Sequence, residues 1–176
     1  MLNYSYINVI IIYIKKFKGV DTLDPSVAIQ IVALVVLIAL SSFFSSAETS
    51  FVSVNLIRMR SLADDGNKRA ARVLKIRENS AKMLSAVLIG NNLVNISASA
   101  LATMVAQSLF GNSAVSIATG IMTVVVLIFG EITPKTIATA NADKIAPVYS
   151  SIIWLLMIVF TPVIFILNKV SSAFLF

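Results

Sequence analysis

Long apolar stretches dominate this sequence, and they limit what the chain can fold into more than any other feature. The stretches lie at about residues 27–54, 83–109, 114–135 and 147–167. A helix needs about 20 predominantly apolar residues to cross a bilayer, and each stretch has about that length. Charged residues make up only 12% of the chain, against about 25% in soluble domains. We therefore predict an all-α membrane protein with no separate soluble domain.

The first three stretches are predicted to be transmembrane helices, and the fourth differs from them. Pro162 interrupts the fourth stretch, and proline inside a helix removes a backbone donor and clashes with the preceding turn. We expect residues 147–167 to form a broken juxtamembrane segment on the cytoplasmic side, although hydropathy alone favours a fourth span. Residues 1–24 contain only a short apolar run, and we expect an N-terminal extracytoplasmic segment there.

Basic residues are concentrated between the first and second apolar stretches. Eight of the fourteen lysines and arginines lie in residues 55–82, against three acidic residues. The positive-inside rule places such a loop in the cytoplasm. We therefore predict a multi-pass protein of the plasma (inner) membrane, with its N-terminus outside and with the basic loop and the C-terminus in the cytoplasm. Within the loop, Asp65, Gly66 and Asn67 predict a turn between two helices.

The chain has no cysteine and no histidine. Their absence excludes disulfides, thiolate or imidazole metal sites and histidine-based catalytic triads. The net charge of +6 does not indicate nucleic-acid binding, because residues 55–82 contain no aromatic side chain that would stack on bases. Any bound metal must be held by oxygen, which favours hard cations such as magnesium, calcium or sodium.

Polar residues interrupt all three predicted spans at helical spacing. The first span carries two serines four residues apart, the second carries two asparagines four residues apart, and the third carries a glutamate. Residues four apart share one face of a helix. Pro134 has no N–H, so the carbonyl of Gly130, four residues earlier, loses its helical partner. The predicted topology places six oxygens at similar depth in the membrane, and six oxygen ligands are what magnesium prefers. These oxygens belong to Ser41, Ser45, Asn91, Asn95, Gly130 and Glu131.

Structural roles compete with a cation site for each of these residues. Serines in membrane helices often bond back to their own backbone, and asparagines often join neighbouring helices. Glu131 is an intramembrane carboxylate and a functional candidate, but it is also able to pair with Lys135. Glu48 either faces a cytoplasmic vestibule or balances local charge. We assign structural or gating roles to Pro134, Lys135, Glu48 and Asn92.

Four motifs occur in order along the chain: SSFFSSAET (41–49), LADDGNKRA (62–70), LIGNNLVN (88–95) and FGEITPK (129–135). In these motifs the sequence resembles the transmembrane domain of the cyclin M/CorC family of magnesium transporters. We assign residues 25–170 to this domain. The resemblance implies a homodimer with three spans per subunit, a juxtamembrane helical belt, and a dehydrated Mg²⁺ held near the six residues named above. It also implies sodium-coupled export of magnesium.

The sequence departs from the family in two ways, and other functions remain open. Ser46 stands where many members carry glycine. The nucleotide-binding cytosolic modules of the family are missing from the sequence, so we expect an isolated membrane domain. A non-transporting scaffold or magnesium sensor would use the same residues. An enzyme with a Ser-Lys dyad at Lys135 lacks an oxyanion-hole motif, and we expect no enzymatic activity. Ala98 and Ala102 form a small-residue pair that makes the second span a candidate dimer interface, with packing of the same face inside the subunit as the alternative.

Overall fold

The computed structural model describes residues 25–112 and 115–173, and every regular element in these two ranges is helical. The prediction of an all-α membrane protein is confirmed. The predicted extracytoplasmic segment, residues 1–24, lies outside the described residues. In chain order the elements are α1 (Pro25–Ser53), α2 (Leu56–Asp64), α3 (Lys68–Glu78), α4 (Ser80–Phe110), α5 (Val115–Val126), a π-helical segment (Leu127–Ile132), α6 (Thr133–Ala140), α7 (Ala142–Val159) and α8 (Thr161–Ala173).

Four helical stretches of the described ranges are long and apolar enough to cross a membrane. They are α1, α4, the stretch Val115–Ala140 and α7. The first three overlap the predicted spans, and the third ends at Ala140 and not at residue 135. Apolar side chains such as Ile29, Val32 and Val35 of α1 are exposed on the surface of the subunit. Exposed apolar surface of this extent is typical of helices that contact lipid or a partner.

The fourth candidate, α7, differs from the sequence-based expectation at both of its ends. It begins at Ala142, so Pro147 lies inside the helix rather than at its start. The break lies at Phe160, between α7 and α8, and not at Pro162. Pro162 is the second residue of α8, where a missing N–H costs little because the first N–H groups of a helix have no intrahelical partner.

The middle of α7 packs beside the basic helix α3. Nη1 of Arg72 lies 2.5 Å from Oγ of Ser151, halfway along α7. Arg58 of α2 adds an ion pair with Asp143 in the first turn of α7, at 3.3 Å. A helix that is apolar enough to span is therefore held along the basic helices. Its assignment as a juxtamembrane segment stays a prediction.

The two basic helices form the hairpin that the sequence predicts. Gly66 takes a φ of +89°, a left-handed conformation that residues with side chains rarely adopt. Asn55 and Asn67 cap the two helices, each accepting hydrogen bonds from two backbone N–H groups of the first turn. Met59, Val73 and Ile76 are fully buried and join the hairpin to the main core.

Helices α1 and α4 are in close contact at Gly90. A Cβ atom at this position would overlap the ring of Phe44, so only glycine lets the two helices come this close. Around this point the core contains the fully buried Phe51, Met83 and Ile153. The close approach brings the polar residues of α1 and α4 within reach of one another.

The small-residue pair of α4 packs inside the subunit, so these two residues are not available for a contact between subunits. Ala98 is fully buried and Ala102 is 3% exposed. They form a cluster with Leu34 of α1, and Met122 of α5 packs against it. Small side chains allow helices to approach within one chain as well as between chains, so the sequence pattern did not distinguish the two cases.

Candidate cation site

Ser41 is the point at which the three long membrane helices meet through polar atoms. Its side chain is 1% exposed. Its Oγ lies 2.6 Å from Oδ1 of Asn95 in α4 and 3.2 Å from the carbonyl oxygen of Gly130 in the π-helical segment. We refer to these three oxygens, of Ser41, Asn95 and Gly130, as the oxygen cluster.

The oxygen cluster has more lone pairs than hydrogens. A serine hydroxyl carries one hydrogen, whereas the amide oxygen and the carbonyl oxygen are acceptors only. Ser41 therefore donates to one acceptor at a time, and the other oxygen faces it without a hydrogen between them. Three converging oxygens of this kind are the ligand type that a hard cation prefers, since a cation accepts lone pairs from all three at once.

Two further side-chain oxygens, each four residues in sequence from a member of the oxygen cluster, are buried without a hydrogen-bond partner. They are Oγ of Ser45 and Oδ1 of Asn91. Ser45 is fully buried and Asn91 is 7% exposed. Each lies one helical turn from a member of the oxygen cluster, Ser45 from Ser41 and Asn91 from Asn95. An unpaired buried acceptor costs roughly 1–3 kcal/mol, which a bound cation would offset.

Other hydroxyl groups in the long helices behave differently. Ser85, Ser97, Thr103 and Thr123 each bond to the carbonyl four residues earlier, at 2.8–3.0 Å. This is the usual behaviour of Ser and Thr in membrane helices. Ser41 bonds across to other helices instead, and Ser45 leaves its oxygen unpaired.

Pro134 and the π-helical segment explain why the Gly130 carbonyl reaches Ser41. The N–H of Thr133 bonds to the carbonyl of Ile128, five residues earlier, which widens the turn. This widening accommodates Pro134, whose ring would clash with the carbonyl four residues before it. A Cβ atom on Gly130 would lie only 3.0 Å from Oγ of Ser41, so glycine permits the approach.

The hydroxyl of Ser46 also contacts this region. It donates to the carbonyl oxygen of Pro134 at 3.5 Å. The serine at this position therefore adds a contact between α1 and α6.

The carboxylate of Glu131 belongs to a second group of side chains. Glu131 directly follows Gly130, a member of the oxygen cluster, in the sequence. Nζ of Lys135 is 3.0 Å from Oε1 of Glu131 and 3.9 Å from Oε2 of Glu48. We refer to Glu48, Glu131 and Lys135 as the charged trio. About a third of each side chain is exposed. The structure thus shows the pairing of Glu131 with Lys135 that the sequence left open.

The candidate site depends on neutral oxygens more than on acidic groups. In the part of the chain that the structure describes, no group of three or more acidic, cysteine or histidine side chains gathers at one point. Asn92, by contrast with Asn91 and Asn95, is exposed and lies off the oxygen cluster.

Three features of the site were not predicted from the sequence. They are the contact between Glu48 and Lys135, the π-helical turn, and the need for glycine at position 90. The first joins residues 87 positions apart in the chain, so no local pattern reports it. The glycine beside two asparagines in an apolar helix was a signal for the third, because glycine disfavours helix interiors unless close packing requires it.

Comparison with known proteins identifies a family for this chain. The profile of the cyclin M transmembrane N-terminal domain matches residues 32–176. A Haemophilus influenzae protein named "UPF0053 protein" is 43% identical over 137 residues, 78% of this chain and 33% of the relative. The Escherichia coli "UPF0053 inner membrane protein YfjD" is 44% identical over 132 residues, 75% of this chain and 31% of the relative.

A more distant relative carries a functional name. The "Polyamine export protein" of Haemophilus influenzae is 30% identical over 157 residues, 82% of this chain and 36% of the relative. The chain thus spans about a third of the length of these curated relatives. Because the profile covers most of the chain and includes all the residues of the oxygen cluster and the charged trio, this multi-pass membrane protein belongs to the cyclin M transmembrane domain family.

Proposed function

We propose that this domain carries Mg²⁺ across the plasma membrane, as a sodium-coupled exporter working as a homodimer. The observation that carries the proposal is the oxygen cluster. Three helices contribute oxygens to one buried point with a single hydroxyl hydrogen among them. Hydrogen bonding within the subunit leaves the cluster under-satisfied, and a hard cation satisfies it. Sodium coupling and the direction of transport rest on the family resemblance.

The proposed ligands are the six sequence-predicted oxygens. Ser41, Asn95 and Gly130 are already together, and Ser45 and Asn91 supply the unpaired oxygens one turn away. Glu131 supplies the sixth oxygen and the negative charge. Magnesium prefers six oxygens in an octahedral arrangement. A site with one negative charge binds a divalent ion weakly enough to release it, as transport requires.

Lys135 has to leave Glu131 before the carboxylate becomes a ligand. Its ammonium lies 3.0 Å from Glu131 and has a second carboxylate, Glu48, at 3.9 Å. We propose that Lys135 moves fully to Glu48 when the cation arrives. The charge released by Glu131 is then available to the cation, while the ammonium keeps a partner. Lys135 thus acts as a tethered cation that competes with the transported one.

The experiment that tests the proposal is magnesium flux in proteoliposomes, with and without a sodium gradient. Wild-type protein is expected to move Mg²⁺ faster when a sodium gradient drives Na⁺ in the opposite direction across the membrane. Ser41→Ala is expected to slow the Mg²⁺ flux. Ser85→Ala is the matched control, because Ser85 only bonds back to its own helix. Equal flux in protein-free liposomes and in wild type would contradict the proposal.

A scaffold or magnesium sensor is the second candidate function. The 2.6 Å bond between Ser41 and Asn95 joins α1 to α4 and would serve a scaffold equally well. A pure scaffold predicts no flux and no shift of the melting temperature by Mg²⁺, since only a ligand of the folded state stabilises it. A sensor predicts the shift without the flux.

Polyamine transport is the third candidate, and the charged trio is what favours it. Lys135 demonstrates that a primary ammonium fits between the carboxylates of Glu131 and Glu48, and one relative is named as a polyamine export protein. The flux assay therefore includes spermidine beside Mg²⁺. Spermidine flux without magnesium flux would replace the magnesium proposal with this one.

A further inference from the structure

A basic cleft lies between α3 and α7, away from the oxygen cluster and the charged trio. It has a volume of about 360 Å³, within the size range of small-molecule sites. Its lining residues are Lys68, Ala71, Arg72, Lys75 and Trp154. Three of the five are cationic and none is acidic, so the cleft attracts an anion.

The spacing of the basic residues concentrates their charge on one face of α3. Lys68, Arg72 and Lys75 occupy positions i, i+4 and i+7, which share a helix face. Arg72 is anchored, because its Nη1 lies 2.5 Å from Oγ of Ser151 on α7. An anchored guanidinium offers its remaining N–H groups in a fixed geometry, as phosphate binding favours.

The other side of the cleft is suited to a lipid. Trp154 is 39% exposed, and Ile158, one turn further along the same face of α7, is 54% exposed. Tryptophan is enriched at the boundary between headgroups and acyl chains. A phosphate bound to the basic residues would therefore lie beside the exposed apolar surface of Trp154 and Ile158. Acyl chains of a lipid would cover this surface, whereas a soluble phosphate compound would leave it exposed.

We propose that the cleft between α3 and α7 binds the phosphate of an anionic phospholipid, with Lys68, Arg72 and Lys75 as its partners and the acyl chains along Trp154 and Ile158. Basic clefts on helices at the membrane surface commonly hold such headgroups. The bound lipid joins the basic hairpin to α7, so it stabilises the folded domain. This site is independent of the transported ion.

The test is thermal unfolding of the purified full chain in mild detergent, titrated with phosphatidylglycerol or with phosphatidylcholine of the same acyl chains. Wild type is expected to gain more stability from phosphatidylglycerol. The variant Lys68→Gln/Lys75→Gln keeps the anchored Arg72 and is expected to lose about five-fold in apparent lipid affinity for each residue changed. The control variant Arg60→Gln/Lys144→Gln removes the same charge from exposed positions outside the cleft and is expected to behave as wild type.

Three outcomes would overturn the proposal. Equal responses to the two lipids in wild type would remove the preference for an anionic headgroup. Equal losses in the cleft variant and in its control would assign the effect to overall charge. The third arm uses glycerol phosphate without acyl chains, and full stabilisation by this compound would make the cleft a site for a soluble phosphate.

Discussion

Glu131 is the residue on which the charge of the proposed site depends, and its replacement is the most direct test at the residue scale. Glu131→Gln keeps the size and one oxygen but removes the negative charge. We expect Mg²⁺ binding, measured calorimetrically, to weaken by roughly ten-fold or more, since each 1.4 kcal/mol of lost attraction is a factor of ten. Unchanged affinity in the folded variant would end the assignment of Glu131 as a ligand.

Ser45→Ala is the matched test of a neutral ligand. The Ser45 oxygen is buried without a partner, so its removal relieves an unsatisfied acceptor in the empty protein. We expect the variant to be as stable as wild type, or more stable, without Mg²⁺ and to bind Mg²⁺ more weakly than wild type but better than Glu131→Gln. A loss of stability without Mg²⁺ would instead indicate a structural serine.

Lys135 is predicted to oppose cation binding, in contrast to a simple structural ion pair. Lys135→Met frees Glu131 and is expected to tighten Mg²⁺ binding several-fold. Lys144→Met removes the same charge from an exposed position outside the charged trio and serves as the control. Lower affinity in Lys135→Met would contradict the competition.

Glu48 tests the proposed movement of Lys135. Glu48→Gln removes the second partner of the ammonium and is expected to weaken Mg²⁺ binding. In the Lys135→Met background the same change is expected to have little effect, because no ammonium then needs a partner. A double-mutant cycle measures this coupling, and additive effects would show that Glu48 acts on the cation independently of Lys135.

At the scale of elements, the approach of α1 to α4 depends on one glycine. Gly90→Ala forces its methyl group into the ring of Phe44, and overpacking of this kind costs about 1–3 kcal/mol. We expect a lower melting temperature and weaker Mg²⁺ binding, because the two helices carry four of the proposed ligands. Gly120→Ala is the control, since a methyl group there meets nothing within 4 Å. Equal melting temperatures for the two variants would contradict the close packing.

The π-helical segment shows how a local backbone rule has a distant consequence. Proline at position 134 prevents a regular α-helical turn, and the widened turn directs the Gly130 carbonyl to Ser41. The sequence indicated that this carbonyl loses its helical partner. It did not indicate the π-helical turn, because a kink or a bulge would also accommodate the proline.

At the scale of the whole molecule, the predicted topology is testable because the chain has no cysteine of its own. Single cysteines at Asp65, in the basic hairpin, and at Asn112, after α4, are expected to react with an impermeant reagent from opposite sides of the membrane. The cysteine is placed at Asp65 and not at the neighbouring Asn67, because the side chain of Asn67 caps α3 and its replacement would remove that cap. Reaction of both positions from the same side would contradict the predicted topology.

Asn92 provides the test of the proposed homodimer. It is exposed on α4, and an amide on the lipid-facing side of a span has no hydrogen-bond partner unless another helix covers it. We expect Asn92→Cys to form a disulfide-linked dimer under mild oxidation. Ala98→Cys is the control, because Ala98 is fully buried inside the subunit. Cross-linking from position 98 but not from 92 would contradict this interface.

The sequence by itself determined the class of fold and the approximate positions of the first three long helices. Apolar stretches of sufficient length form membrane helices because backbone polar groups must be satisfied internally in lipid. Local rules also sufficed for the basic hairpin, since Gly66 and Asn67 act within one turn of themselves. The ligand candidates were recognisable for a similar reason, because polar residues in apolar helices are costly without a role.

Only the tertiary structure decided which partners those residues have. The spacing of Ala98 and Ala102 suited either a dimer or the subunit core, and packing against Leu34 chose the core. Glu131 had a lysine one turn away in sequence, but the second carboxylate of the charged trio comes from another helix. Helical periodicity determines which face of a helix a side chain occupies. The residues opposite that face depend on how the helices pack, and helix packing is set by contacts between residues far apart in the chain.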